Sequence, residues 1–513
     1  MTLQVLAPDN CGTALGPLVD QLYQQRFASR LFDRDASLWG PEAEAEARIR
    51  LGWVDAPARS QEIVAAALAL RKELSSQGIS RIVLCGMGGS SLGPEVIAQA
   101  HGISLTVLDT THPAELRRIL DDDLRNTAVI VSSKSGSTIE TLTQADAFQQ
   151  AFEQRGLPAK QHLIFITDPG SPLGEKRSEG YRVFLADPEV GGRYSAFTAF
   201  GLVPAILAGL DPQRLIDDAT ASREMLRRDD KENPALVLAA ALAASLPTRY
   251  VLLLREPRSG GFGLGDWIEQ LLAESTGKMG NGVLPMALGS TAPEFDRLPS
   301  NAQIIDLGSQ ESNSSHLSVS GTLGEQLMLW EVATVALGAL LRLNPFDQPD
   351  VETAKQAARE ALSQPAVAGA DVSLLVAEDE AALDELVTDL SSALPADGYV
   401  AIQAFLDRGS QAAEFAVSLR ETLAERLGVP VSLGWGPRYL HSVGQFHKGG
   451  RPSGVFLQLI DEPGAEQQEG QHFRRFEMLL RAQCAGDREV LSARGRPVIT
   501  RAVSAAANTK GLR

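Results

Sequence analysis

Cysteine is scarce in this chain. Cys11, Cys85 and Cys484 are the only three among 513 residues, and their spacing matches neither a disulfide framework nor a metal-binding pattern. A reducing, cytoplasmic setting is therefore expected. Positive charge is also short: 47 lysines and arginines face 64 acidic residues, a net charge of −17. That balance argues against a nucleic-acid partner, whose phosphate backbone would be repelled. It also requires that any anionic substrate be held by local groups rather than by the overall field. Long apolar runs are absent; the longest, Ala235 to Leu246, is alanine-rich and too short to cross a bilayer. A buried helix is expected there, and no membrane partner. The first residues, Met1-Thr-Leu-Gln-Val-Leu-Ala-Pro, lack the basic start and apolar stretch of a secretory signal. No cluster of His, Cys and Asp stands at ligand spacing, so no metal site is expected.

What remains is ordinary globular material, 44% apolar and 22% charged, in a chain long enough for two to four domains. Two stretches stand out against it: Gly86-Met-Gly-Gly-Ser-Ser-Leu-Gly93 and Ser133-Lys-Ser-Gly-Ser-Thr-Ile-Glu140. Each follows an apolar, β-branched run and precedes a helical pattern. Glycine lets backbone approach a ligand closely, and the following helix turns unpaired N–H groups and a partial positive charge toward the same place. Phosphate suits such a site, with the serine and threonine hydroxyls completing its shell. One such turn is a weak signal; a tight structural turn would look the same. Two in successive strand–turn–helix units are much stronger. The first falls short of the dinucleotide fingerprint at its last position, Ser91, and the hydroxyls fit a monophosphate better.

Residues 1–75 read as helical. From 80 to about 185 strand and helix alternate, with strands expected at Ile82–Cys85, Leu105–Leu108, Ala128–Val131, Leu163–Thr167 and Tyr181–Phe184. Such alternation predicts a parallel sheet with helices on both faces, and ligands bind such sheets beyond the carboxyl ends of the strands. Gly191-Gly-Arg-Tyr-Ser195 is read as opening a long apolar helix to about Leu210. A second α/β unit starts with a strand at Tyr250–Leu254, followed by helix Leu264–Glu274, strands at Gln303–Asp306 and Leu317–Val319, and helices over 324–343 and 351–362. Beyond the small-residue stretch Pro365–Ala370, strands are expected at Ser373–Val376, Tyr399–Phe405, Pro430–Leu433 and Gly454–Ile460.

Six segments, in chain order, resemble the glucose-6-phosphate isomerase family, aldose–ketose isomerases built from two sugar-isomerase (SIS) domains. They are Gly-Met-Gly-Gly-Ser90-Ser-Leu-Gly-Pro, Ser133-Lys-Ser-Gly-Ser-Thr-Ile-Glu-Thr, Gly-Gly-Arg193-Tyr-Ser, Gln270-Leu-Leu-Ala-Glu274-Ser-Thr-Gly-Lys, Asn-Pro-Phe-Asp-Gln348-Pro and Val-Glu-Thr-Ala-Lys355. Gly444-Gln-Phe-His447-Lys-Gly-Gly-Arg-Pro-Ser-Gly resembles the isomerase half of transaldolase–isomerase fusions. The resemblance implies an α/β protein of two doubly wound, parallel-sheet SIS domains, the first with the N-terminal helices over 1–230 and the second over 231–365, plus a C-terminal α/β unit over 366–513. It implies interconversion of glucose 6-phosphate and fructose 6-phosphate through a cis-enediolate, without metal or cofactor, in a cytoplasmic homodimer. A dual phosphoglucose/phosphomannose isomerase and a non-enzymatic sugar-phosphate-binding regulator are the alternatives. The regulator would need only the two turns.

The resemblance also assigns roles. Glu274 becomes the base, which must reach the carbon-bound proton. Gln270, four residues earlier on the same helix face, lies near the phosphate. Arg193, always protonated, stabilises the enediolate oxygen. Gly89 and Ser90 of the first turn, with Ser133, Lys134 through its backbone N–H, Ser135, Ser137 and Thr138 of the second, hold the phosphate. Gln348 stands near the phosphate and Lys355, two helical turns on, near the ring oxygen. A ring-opening histidine is also required. His447 is favoured for its glycine-rich surroundings; His441 and His316 are the other candidates.

Overall fold

The computed structural model describes residues 3–8, 13–257, 261–308, 316–350, 373–376, 379–462 and 470–503. Lys355, the helix expected over 351–362 and the expected boundary stretch lie outside them. Fifteen strands occur among the described residues: β1 (Gln4–Leu6), β2 (Arg81–Gly86), β3 (Thr106–Leu108), β4 (Thr127–Ser132), β5 (Leu163–Thr167), β6 (Arg182–Leu185), β7 (Val251–Arg255), β8 (Leu284–Leu288), β9 (Ala302–Leu307), β10 (Leu317–Ser320), β11 (Leu374–Leu375), β12 (Tyr399–Phe405), β13 (Val431–Trp435), β14 (Gly454–Asp461) and β15 (Val498–Val503).

They form three five-stranded sheets, ordered β3-β2-β4-β5-β6, β1-β10-β9-β7-β8 and β11-β15-β14-β12-β13. Every pairing is parallel except β1 with β10, where Val5 lies opposite Val319. The fold is thus two doubly wound, mostly parallel sheets plus a C-terminal α/β unit. In the first sheet the strand order reverses between β2 and β4, the crevice where open α/β sheets take ligands. Both glycine-rich turns follow those two strands.

Several local expectations change. The N-terminal region is helical only after β1, whose three residues close the edge of the second sheet. No long helix opens at Gly191: Gly192–Tyr194 form one 3₁₀ turn, and the apolar helix begins at Ala199, where Thr198 Oγ1 accepts from the Phe200 N–H. The apolar run near 235 is a buried helix, Pro234–Ala244, as expected. Leu323–Leu341 is a helix long and apolar enough to cross a membrane, but 83% of its most apolar window is buried inside the protein.

Helices pack the three units together. One apolar core runs between the first and second sheets and includes Ile82, Ile130, Leu252, Leu254 and Leu271. A second covers the other face of the first sheet and includes Phe473 and Phe476, from helix Gln471–Ala493 of the C-terminal unit. A third joins the second and third sheets through Tyr250, Leu253, Tyr399, Phe446 and Phe456. The C-terminal unit therefore touches both of the others, and the segment between β13 and β14 lies where the three meet.

Candidate active site

Helix Gly265–Thr276 carries the candidate base. Its buried face includes Gln270, Leu271 and Glu274, one turn apart at the polar positions. Gln270 Nε2 donates to Glu274 Oε2 (3.1 Å) and to the His441 carbonyl (2.9 Å). Arg193 Nη1 lies 3.3 Å from Glu274 Oε1 and donates to Gln348 Oε1 at 2.8 Å. Its other terminal nitrogen donates to the Pro345 and Asp347 carbonyls (2.7 and 3.1 Å). One residue of the Gly-Gly-Arg turn thus binds both the base and the Asn-Pro-Phe-Asp-Gln loop. Two buried polar atoms in this cluster have no partner among the described residues: the acceptor Gln270 Oε1 and the donor Arg193 Nε. An oxygen-rich ligand would satisfy both.

Lys278, just past the base helix, locks the same loop. Its ammonium donates to the Asn344 carbonyl (2.6 Å), the Asp347 carbonyl (2.7 Å) and Asp347 Oδ1 (2.6 Å). Burial, and then the nearby Arg193 guanidinium, bring its pKa down to about 8.

The two turns border this cluster. Gly88 adopts a left-handed φ of +56°, and a Cβ there would meet Gln270 Nε2 and the His441 carbonyl, each at 2.8 Å. A Cβ on Gly89 would come within 2.0 Å of the Gly192 carbonyl. The first turn is therefore wedged against the base helix, the histidine segment and the arginine turn. Ser90 follows, buried. In the second turn Gly136 takes φ +65°, and Ser133 Oγ shares a hydrogen bond with Thr138 Oγ1 (2.9 Å). Ser135 and Ser137 are exposed and paired at 3.0 Å. Thr138 precedes helix Ile139–Gln154 without a side-chain cap, so the first N–H groups of that helix are left for a ligand. The Lys134 ammonium is engaged by Asp168 instead of facing the turn.

The three candidate histidines lie in different surroundings. His447 is buried among Tyr399, Tyr439 and Phe456, its Nδ1 paired with the Tyr399 hydroxyl at 3.0 Å. Burial holds its pKa far below the usual histidine range, so it stays neutral. It is a core residue of the C-terminal unit and does not join the cluster around Glu274. His316 stands on the second sheet, 3.4 Å from Asp306. His441 lies beside the Glu274 cluster: its carbonyl accepts from Gln270, and its Nε2 meets Glu140 Oε1 at 2.9 Å. Glu140, in the first turn of helix Ile139–Gln154, is buried and also accepts from Gln483 Nε2 (2.6 Å). The sequence alone gives Glu140 no role; its place two residues past Thr138 is the available signal. Glu274, Arg193, Gln270 and Gln348 lie in one cluster with the first turn against it. Lys355 lies outside the described residues.

Residues 66–246 match the family described as phosphoglucose isomerase, a span that includes both turns and Arg193. A probable glucose-6-phosphate isomerase of Methanococcus maripaludis is 27% identical over 351 residues, covering 56% of this chain and 80% of that protein. One from Haloarcula marismortui is 35% identical over 219 residues, covering 41% of this chain but only 50% of the relative. The solved glucose-6-phosphate isomerase of Chlamydia trachomatis shares the fold, with TM-score 0.54 at 19% identity over 75% of this chain and 92% of that one.

Proposed function

We propose that this chain, an enzyme of the phosphoglucose isomerase type, interconverts glucose 6-phosphate and fructose 6-phosphate through a cis-enediolate. What carries the reading is one cluster: a buried carboxylate held by an arginine and a glutamine, beside two anion-ready turns and a carboxylate-paired histidine.

The phosphate sits on Ser90, on the hydroxyls of Ser133, Ser135, Ser137 and Thr138, and on backbone N–H groups including those of Gly89 and Lys134. Gln270 and Gln348 orient the sugar, Gln270 through its unpartnered Oε1. His441 is the ring-opening group. Glu140 accepts its Nε2–H, which leaves Nδ1 to move the proton between the anomeric hydroxyl and the ring oxygen. Glu274 then takes the proton from C2 of the open aldose and returns it to C1. Between these steps the hydroxyl proton of O2 passes to O1, so that O1 ends as hydroxyl and O2 as carbonyl, and the Arg193 guanidinium stabilises the enediolate charge on these two oxygens without reorganising. Lys355 is proposed to serve the ring oxygen beside His441. None of these steps calls on a metal or cofactor.

The test is direct. The purified chain should turn over glucose 6-phosphate at a rate in the ordinary enzymatic range of ~1–10³ s⁻¹, with mannose 6-phosphate assayed in parallel to define C2 selectivity. Binding of sugar phosphates without any turnover would favour the regulator and end this reading.

A further inference from the structure

We infer that Arg438 and Gln445 are positioning residues that clamp the His441 segment of the C-terminal unit onto the first two units. The inference rests on the isomerase reading for what His441 does, but not for where it is held.

His441 lies between β13 and β14, in a 3₁₀ turn (Arg438–His441) followed by a short helix, Gly444–Gly449. A connection of this kind has no ladder to fix it, and its catalytic value depends on where it is pinned. Arg438 pins one end. Its Nη1 donates to Asp109 Oδ2 (2.6 Å), just past β3 of the first sheet. Its Nη2 reaches Asp266 Oδ2 and Glu95 Oε2, both at 2.8 Å. Asp266 begins the base helix, and Glu95 lies on helix Leu92–Ala100, which follows the first glycine turn. A single guanidinium thus ties the histidine segment to the base helix and to the phosphate-turn helix. Asp109 is fully buried, so without Arg438 it would keep only Arg408 as a counter-ion among the described residues.

Gln445 pins the other end. Fully buried, it donates from Nε2 to the Gly277 carbonyl (2.9 Å) and to Asp350 Oδ2 (2.6 Å), and its Oε1 accepts from the Asp350 N–H (3.1 Å). Gly277 closes the base helix three residues after Glu274, and Asp350 stands two residues after Gln348. Packing around this amide is tight. A Cβ on Gly449 would meet Asp350 Oδ2 at 2.1 Å, and one on Gly277 would meet Phe446 Cα at 2.5 Å. Arg494 adds a further tie from the C-terminal unit, donating to Asp350 Oδ1 (2.5 Å) and to the Lys448 carbonyl (3.0 Å). His441 lies between the two clamps, its ring on Glu140 and its carbonyl on Gln270. Neither Arg438 nor Gln445 has a hydrogen bond to Glu274, Arg193 or the phosphate turns; their effect must pass through the segment they hold.

The experiment uses full-length Gln445→Ala and Arg438→Lys, the second keeping the charge while losing the fork. Two readouts are taken: the imidazole NMR signal of His441, assigned with His441→Ala, and kcat and KM for fructose 6-phosphate. Misplacement by about 1 Å can cost on the order of 10²-fold in rate, so each variant should lower kcat by tenfold or more at nearly unchanged KM and shift the His441 signal. In a His441→Ala background the same substitutions should change kcat by less than about twofold, the signature of acting through one group. An unmoved His441 signal in both folded variants overturns the proposal whatever the kinetics. So does full additivity with His441→Ala. A moved signal with unchanged turnover supports the positioning and overturns the role given to His441.

Discussion

The proposed base role of Glu274 depends on how its carboxylate is held. Arg193 and Gln270 occupy one oxygen each, which fixes the carboxylate plane and leaves lone pairs for a sugar proton. Glu274→Gln should keep sugar-phosphate binding and lose ~10²–10⁴-fold in kcat; steady-state kinetics with calorimetric binding separates the two effects, and undiminished turnover would remove the residue from its role. Lys278 gives a prediction about pH. Its folded pKa is lowered to about 8, against ~10.4 in an unfolded chain. Between those values the unfolded chain binds the extra proton, so this group adds stability as pH rises through that window. Lys278→Met has no such gain. Urea unfolding should therefore show the wild-type-minus-variant difference growing from pH ~8 to ~10, whereas a constant difference would mean that the ammonium is not depressed.

At the scale of elements, the glycine turns act as spacers between functional segments. Gly89→Ala would force a methyl against the Gly192 carbonyl at 2.0 Å, separating the phosphate turn from the arginine turn. Overpacking of this kind costs about 1–3 kcal/mol. Thermal unfolding should register that loss, and kcat should fall with it; a variant as stable and active as the parent would show that the contact is not needed. The strands of the first sheet were legible because β-branched runs alternate there with glycine turns. Others were not. β8 contains Pro285, which argues against a strand until its place at a sheet edge is known. β1 is three residues long and exists only because β10 offers an edge. β15 mixes Thr and Arg into its apolar pattern. The turn at Gly191 looked continuous with the helix beyond it because local composition does not reveal that Thr198 caps the helix.

Across the whole molecule, the candidate site belongs to no single unit. Turns come from the first sheet, the base from the second and His441 from the third. Six motifs in order made the first two contributions legible as candidates. The third was harder to read, since His441 and His447 lie six residues apart, one in the 3₁₀ turn and one in the short helix that follows it. His447 faces the aromatic core, while His441 faces Glu140. This arrangement assembles the described site within one chain. Mixing and refolding inactive Glu274→Gln with inactive His441→Ala should therefore restore no activity, whereas recovery would mean that partner subunits exchange the histidine. Ligand linkage offers another global readout: fructose 6-phosphate at 100 times its Kd should stabilise the chain by about 2.7 kcal/mol, with hydrogen exchange slowed in both turns and in the 438–449 segment together.

The central claim, that Glu274 moves a proton between neighbouring carbons of a bound sugar phosphate, is tested most directly by turnover of fructose 6-phosphate in heavy water. The wild-type chain should place deuterium at C2 of the aldose product and Glu274→Gln should not. Isomerisation that leaves C2 unlabelled under all conditions, or labelling that survives in Glu274→Gln at the parental rate, would contradict the account.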